Sequence, residues 1–388
     1  MIYQDKKNAT HSNDRGFGIR VVIKALTLFL VVDLAYGLLH PSDSLGRISA
    51  YNVLFPGRQR LPYGDNPDLG YNLSLYNLEA MFHSHELSAA VKSSNEYRVV
   101  LIGDSSTWGF LLPPDQTLSS YLNEANSILP DGRRLKVYNL GYPVMSLTKD
   151  LLILSRAIRY HPDMVVWLVT LESFPYDKQL FSPLLQNNAA PMRGLIQDFH
   201  LKVDPQDPQL VDPSFWERTL VGSRRGVADL LRLQLYGIDW AATGVDQYIP
   251  DTYTPPQEDL PADESFHDMY PPHLEEDDLA FDVLEAGVRM AGNLPVLFIN
   301  EPMYVSRGQN SHIRYNFFYP RWAYDDYRQL LAEKSAANGW LYWDMWDVAA
   351  PSEFTNSAIH LTSSGTEQFS QLVSQLIIRT ALKESNPP

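Results

Sequence analysis

Two residues in this chain have the type and the setting for nucleophilic acyl transfer. Ser105 closes the run Arg98-Val99-Val100-Leu101-Ile102-Gly103-Asp104-Ser105. The apolar stretch is continuous rather than alternating, which predicts a strand buried on both faces. Gly103 permits a sharp turn, and Ser105 then stands just past the carboxyl end of the strand. Ligands bind at that edge of an open α/β sheet. A serine hydroxyl needs a base to remove its proton. His360, in Phe354-Thr355-Asn356-Ser357-Ala358-Ile359-His360-Leu361-Thr362, is the candidate. It lies in a loop between a predicted last strand and a predicted last helix, so a doubly wound sheet brings it to the same edge as Ser105. A plain turn and a helix-capping histidine are the ordinary readings of the two segments taken singly.

The elements that must position this pair follow an α/β rhythm from residue 97 onward. Strands are predicted over about 98–103, 135–140, 164–171, 295–300 and 340–343. Helical stripes follow Asp115 (Leu118, Tyr121, Leu122, Ala125, Leu129), fill 147–160 and cover 324–337. Ser364-Gly365-Thr366-Glu367 has capping-box spacing before Phe369, Leu372, Val373, Leu376 and Ile377. Residues 175–293 interrupt the rhythm and are too long for a crossover. Within them 220–235 and 281–290 look helical, and 249–276 is rich in Pro, Asp and Glu. This insertion is expected above the strand ends, as a substrate-facing cap or as a shield for the sheet. Its Phe215, Trp216, Tyr236, Trp240 and Tyr248 suit either sugar stacking or core packing.

The chain has 388 residues, a net charge of -15 and no cysteine. Disulfides and thiolate chemistry are thereby excluded. The acidity argues against nucleic acid as a partner. No Gly-x-Gly-x-x-Gly, P-loop or His-Glu-x-x-His motif occurs, and neither a cofactor nor a metal is expected. Residues 21–39 are mostly apolar, with Lys24 near one end and Asp33 inside the span. Lys6, Lys7, Arg15, Arg20 and Lys24 precede or open the stretch, against Asp5 and Asp14, which predicts a cytoplasmic tail over 1–20. A signal anchor over 21–39 is the expected reading. A signal peptide cleaved near Ala35-Tyr36-Gly37 and a buried helix of a soluble protein are the alternatives. Residues 40–96 read as a stalk and lead-in packed on an α/β domain spanning 97–384.

These blocks resemble the SGNH (GDSL-like) hydrolase superfamily over about 97–174 and 294–384. The resemblance rests on Gly103-Asp104-Ser105-Ser106 and on His360-Leu361-Thr362 followed by Gly365. It implies a flavodoxin-like three-layer sandwich with a parallel sheet, and ester hydrolysis or acyl transfer with Ser105 as nucleophile and His360 as base. The family's second block, Asn-x-Gly/Ser-x-x-Gly, corresponds to Asn139-Leu140-Gly141-Tyr142-Pro143-Val144. Asp104, Asn139 and Gly141 would then border the site, and the Val144 N–H would stand where an oxyanion donor is expected. In the third block Leu171 replaces the usual donor Asn, leaving Thr170, Glu172 or Ser173 nearby. The family's acid lies three residues before the base, at Ser357. A one-residue insertion would give that place to Asn356. Glu353, Asp347 or Glu172 could serve from elsewhere, or a backbone carbonyl could orient a Ser-His dyad. The implied substrates are an ester-bearing small molecule or an O-acetylated glycan outside the cytoplasm, with a membrane acyltransferase as a partner in some relatives. A catalytically weak glycan- or partner-binding module is the other reading.

Overall fold

The computed structural model describes residues 8–55, 57–64, 73 and 75–385. The tail's residues 1–7 thus lie outside the described residues. Helix α1 covers Asn8–Leu39. The body is built on strand β1 (Glu96–Ile102), helix α2 (Ser105–Trp108), helix α3 (Leu118–Glu124), strand β2 (Arg134–Asn139), helix α4 (Leu147–Ala157) and strand β3 (Met164–Val169). The insertion contributes helix α5 (Arg224–Thr243) and leads into helix α6 (Phe281–Ala291). Strand β4 (Val296–Asn300), helix α7 (Arg321–Asn338), strand β5 (Leu341–Asp344) and helix α8 (Ser363–Ser385) complete it.

The five strands form one parallel sheet in the order β2-β1-β3-β4-β5. This is the flavodoxin-like doubly wound order, whose switch point lies between β1 and β3. Alternate strand residues face opposite layers. Val100, Ile102, Val165, Trp167 and Phe298 pack with α4, α6 and α7, while Val99, Leu101, Val166 and Ile299 pack with α3 and α8. Burial on both faces explains why these strands read as unbroken apolar runs.

The expected strands all form, with ends shifted by one or two residues. β3 stops at Val169 because Leu171–Ser173 already coils into a short 3-10 turn. The stripe at 147–160 ends its regular helix at Ala157 and tightens into a 3-10 turn over Ile158–Tyr160. In the insertion, the expected helix at 220–235 is displaced toward the C-terminus and closes on Gly244 in the left-handed region at φ 72°. Two expected caps are corrected. Thr117, not Asp115, caps α3, accepting the Ser120 N–H at 3.3 Å. At α8 the cap is Thr362, whose hydroxyl accepts the Gly365 N–H at 3.0 Å and itself donates to Glu353. Ser364 therefore sits inside the helix rather than at its cap.

The lead-in and insertion are tied to the sheet's carboxyl edge. Arg60 is fully buried and bonds Asp246 of the insertion and the carbonyls of Gly109 and Leu112, the latter two at 2.9 Å. Its guanidinium stacks over Trp108. Gln247 donates to the Leu112 carbonyl at 2.7 Å. The loop that follows α2 is thus clamped from outside the sheet. Of the insertion's aromatics, Trp240 is buried, whereas Trp216 and Tyr248 are exposed.

Within α1, Gly16–Leu39 is 24 residues long and predominantly apolar, and by length and composition it can cross a membrane. Most of its apolar side chains are exposed. Asp33, the carboxylate inside the span, is buried against the insertion and accepts the Val221 N–H at 2.8 Å.

Candidate active site

The carboxyl edge of the sheet brings Ser105 and His360 together. Ser105 opens α2, directly after β1. Asp104 caps that helix by accepting the Ser106 N–H at 2.8 Å, so Ser105 takes the first helical position. The turn is tight enough to forbid larger residues beneath it. A Cβ on Gly103 would lie 2.2 Å from the Thr107 hydroxyl, and one on Gly141 would lie 2.5 Å from the Trp108 backbone nitrogen. Asn139 fastens the two loops. Its amide donates to the Thr107 carbonyl at 2.9 Å, and its oxygen accepts the Gly141 N–H at 3.0 Å. Because Gly141 meets backbone and not a movable side chain, Gly141→Ala must push α2 away. We expect a loss of about 1–3 kcal/mol, read as a lowered midpoint in urea unfolding, together with loss of Ser105 reactivity.

His360 arrives on the loop after β5. That loop runs along the segment following β4: Met345 N–H donates to Asn300 and Met303 N–H to Trp346, both at 2.9 Å, and Tyr304 N–H donates to Ala358. An isolated bridge between Phe354 and Leu361 closes it into a hairpin-like turn. The Nε2 of His360 lies 2.8 Å from the Ser105 hydroxyl oxygen. Its Nδ1 lies 2.8 Å from Oδ1 of Asn356. An amide oxygen only accepts, so Nδ1 carries the proton and Nε2 is left to accept from Ser105. Phe110 packs on the imidazole with ring centroids 4.9 Å apart. Burial pushes the His360 pKa down to about 4, so the ring is neutral and able to accept a proton at pH 7.

The other candidates fall in different places. Asn356, and not Ser357, meets the second imidazole nitrogen. Glu172 is engaged elsewhere, with Lys178 at 2.9 Å and His267 at 3.1 Å. Glu353 holds Thr362, and Asp347 is exposed. The Val144 N–H already donates to the Tyr142 carbonyl at 2.8 Å, so it is spent within its own turn. Thr170 bonds the Tyr319 hydroxyl at 2.8 Å. Ser173 is buried in the 3-10 turn, with its N–H given to Thr170.

Three nearby residues went unnoticed in the sequence. Glu301, one position past β4, is buried and accepts from the Ser106 hydroxyl. Burial and the neighbouring Asp104 carboxylate hold its pKa well above the ordinary carboxyl range. A charged residue just past a buried strand was the available signal. Lys149, fully buried in α4, donates to the Gly103 carbonyl at 2.8 Å and the Tyr142 carbonyl at 3.1 Å and pairs with Asp150. It braces the nucleophile turn from below. Phe110 is the third. A small cleft, open to solvent, borders His360, Ser106 and Glu301 and is also lined by Leu112, Leu168 and Phe369. Among the described residues no cluster of His, Asp and Glu has a metal-binding arrangement.

No family model matches the chain, and no curated protein matches it. The solved structures similar to it include GDSL-like lipases and esterases. A GDSL-like lipase from Bacteroides thetaiotaomicron is 12% identical, with 79% of this chain and 100% of that one covered at a TM-score of 0.39. A lipase/acylhydrolase from Enterococcus faecalis is 14% identical over 73% and 96%, with a TM-score of 0.37. A catalytic mutant of an acetylxylan esterase from Geobacillus stearothermophilus is 10% identical over 74% and 94%, with a TM-score of 0.34.

Proposed function

We propose that this chain is a membrane-anchored serine ester hydrolase or O-acyl transferase, whose body works outside the cytoplasm on an O-acylated carbohydrate or a similar ester. The observation that carries the proposal is the chain of contacts from Ser105 through His360 to Asn356, two hydrogen bonds of 2.8 Å each. Ser105 Oγ attacks the ester carbonyl while His360 Nε2 takes its proton. The same nitrogen then returns the proton to the leaving alcohol. Water or a sugar hydroxyl, deprotonated by the neutral imidazole, releases the acyl group and regenerates Ser105. The modest cleft beside His360 favours a short acyl group such as acetyl.

The Ser105 N–H, in the first turn of α2, has no intrahelical acceptor and serves as one oxyanion donor. Neither Val144 nor Leu171 supplies the second. Losing one such donor costs about 10²–10³ in rate, which favours either a slow enzyme or a second reading, a glycan- or partner-binding module with residual chemistry. A fluorophosphonate separates them, since it requires only an activated serine. The enzyme reading expects a stoichiometric adduct on Ser105 of the full-length protein. No adduct, alongside measurable binding of an acetylated glycan, would leave the module.

The packing of α1 supports an anchor over a cleaved signal. Asp33 and Gly37 both lie against the insertion, Asp33 through its bond to Val221 and Gly37 against the Phe215 ring. Removing the helix would strip partners from the folded body.

A further inference from the structure

We infer that helix α5 is a second membrane contact, lying in the lipid headgroup region with its outer face turned into the bilayer. The inference rests on the reading of α1 as an anchor and adds a surface that α1 alone does not require. One face of α5 is committed to the body. Leu233, Gly237 and Trp240 are buried, and Tyr51 packs so closely on Gly237 that a Cβ there would lie 2.3 Å from the ring. Gln234 locks this orientation by bonding the Ile48 carbonyl at 3.0 Å and the Ala50 N–H at 2.9 Å.

The opposite face is apolar as well. Leu231, Leu235 and Ile238 are 63%, 62% and 45% exposed. At about 100° per residue they fall within roughly 60° of one another, on a single stripe facing away from the buried one. A helix apolar on both sides needs a second apolar environment. What covers it follows from where α5 begins. Its N-terminus is joined to residues 215–221, which touch the last turns of α1 through Phe215 and Val221. Trp216 and Val221, exposed on that junction, continue the apolar surface from α1. The charge points the same way. Helix α5 carries Arg224, Arg225 and Arg232 against Asp229 and Asp239, with Arg232 paired to Asp229 at 3.0 Å, and Arg218 precedes it, a local basic excess within a chain of net charge -15. Arginines flanking an apolar stripe are the chemistry of an interfacial helix on anionic lipid.

The chain has no cysteine, so single labels are clean. Leu235→Cys, Val31→Cys and Ala336→Cys, the last exposed on α7, each receive an environment-sensitive fluorophore. The full-length protein is reconstituted into vesicles of phosphatidylcholine and phosphatidylglycerol containing spin-labelled lipids. The inference expects about twofold or greater quenching at 235 by labels near the headgroup, quenching at 31, two residues below the Asp33 contact, by labels in the upper acyl chain, and none at 336. Quenching at 31 without quenching at 235 would overturn the α5 contact and leave the anchor standing. A label at 235 shielded from both lipid and aqueous iodide would mean that protein covers the face, and would equally overturn it. Absence of quenching at both positions would remove the anchor and the inference together.

Discussion

Ser105→Ala is expected to lower turnover of p-nitrophenyl acetate by at least about 10³-fold, because it removes the attacking atom and leaves His360 nothing to activate. The fold should hardly notice. Ser105 is half-buried, and its hydroxyl contacts only the His360 ring among the hydrogen bonds of the turn. The informative control is its neighbour. Successive residues of a helix point about 100° apart, and the Ser106 hydroxyl meets Glu301 instead of His360. Ser106→Ala should therefore lower stability by about 1–3 kcal/mol, the range for leaving a buried polar partner unpaired, while keeping the fluorophosphonate adduct on Ser105. Turnover that persists in Ser105→Ala would mean that the ester is cleaved elsewhere, and the proposed mechanism would fall.

The contrast between these two serines also marks where the sequence is legible. Ser105 and His360 stand beside elements with strong periodic signals: the buried run of β1 and the apolar stripe of α8. Strand burial on both faces dictated that run, and sheet topology then brought the two loops to one edge. The remaining partners depend on tertiary geometry that no local pattern records. Asn356 and Ser357 are adjacent residues in an aperiodic loop, and it is the closure of that loop, through the bridge from Phe354 to Leu361 and the Thr355 N–H given to the His360 carbonyl at 2.8 Å, that turns Asn356 toward the imidazole. The choice of Thr362 over Ser364 as helix cap is made by Glu353, nine residues away, whose carboxylate accepts from the threonine hydroxyl. Val144 has a backbone N–H like any residue, yet the turn over Tyr142–Val144 consumes it locally. The buried charges Glu301 and Lys149 look like surface residues in the sequence, because their partners come from distant elements. Similarly, Asp33 reads as an expensive carboxylate within an apolar span until the Val221 N–H is seen to meet it.

Asn356→Asp is expected to make the site faster and to move its pH profile. In the wild-type protein the Asn356 oxygen already fixes the imidazole tautomer, with the proton on Nδ1. It supplies no charge, so the imidazolium formed during attack is poorly stabilised. Burial keeps the His360 pKa near 4, and the ring is neutral above that value. The rate should rise with pH through about 4 and be level from about pH 5.5 to 7. A carboxylate at 356 would favour the charged ring directly. The folded pKa of His360 then climbs, and the acid limb moves upward toward the ordinary histidine value of about 6.5. The same attraction lowers the barrier to proton transfer, and kcat at pH 8 should increase by about 10–100-fold, or roughly 1.4–2.7 kcal/mol. This is less than the ~10⁴ attributed to an Asp-to-Asn change in a serine protease, where the tautomer is lost as well. Because residue 356 is exposed, added salt should erode part of the gain. A variant whose acid limb and plateau both match wild type would show that residue 356 does not face the imidazole during turnover.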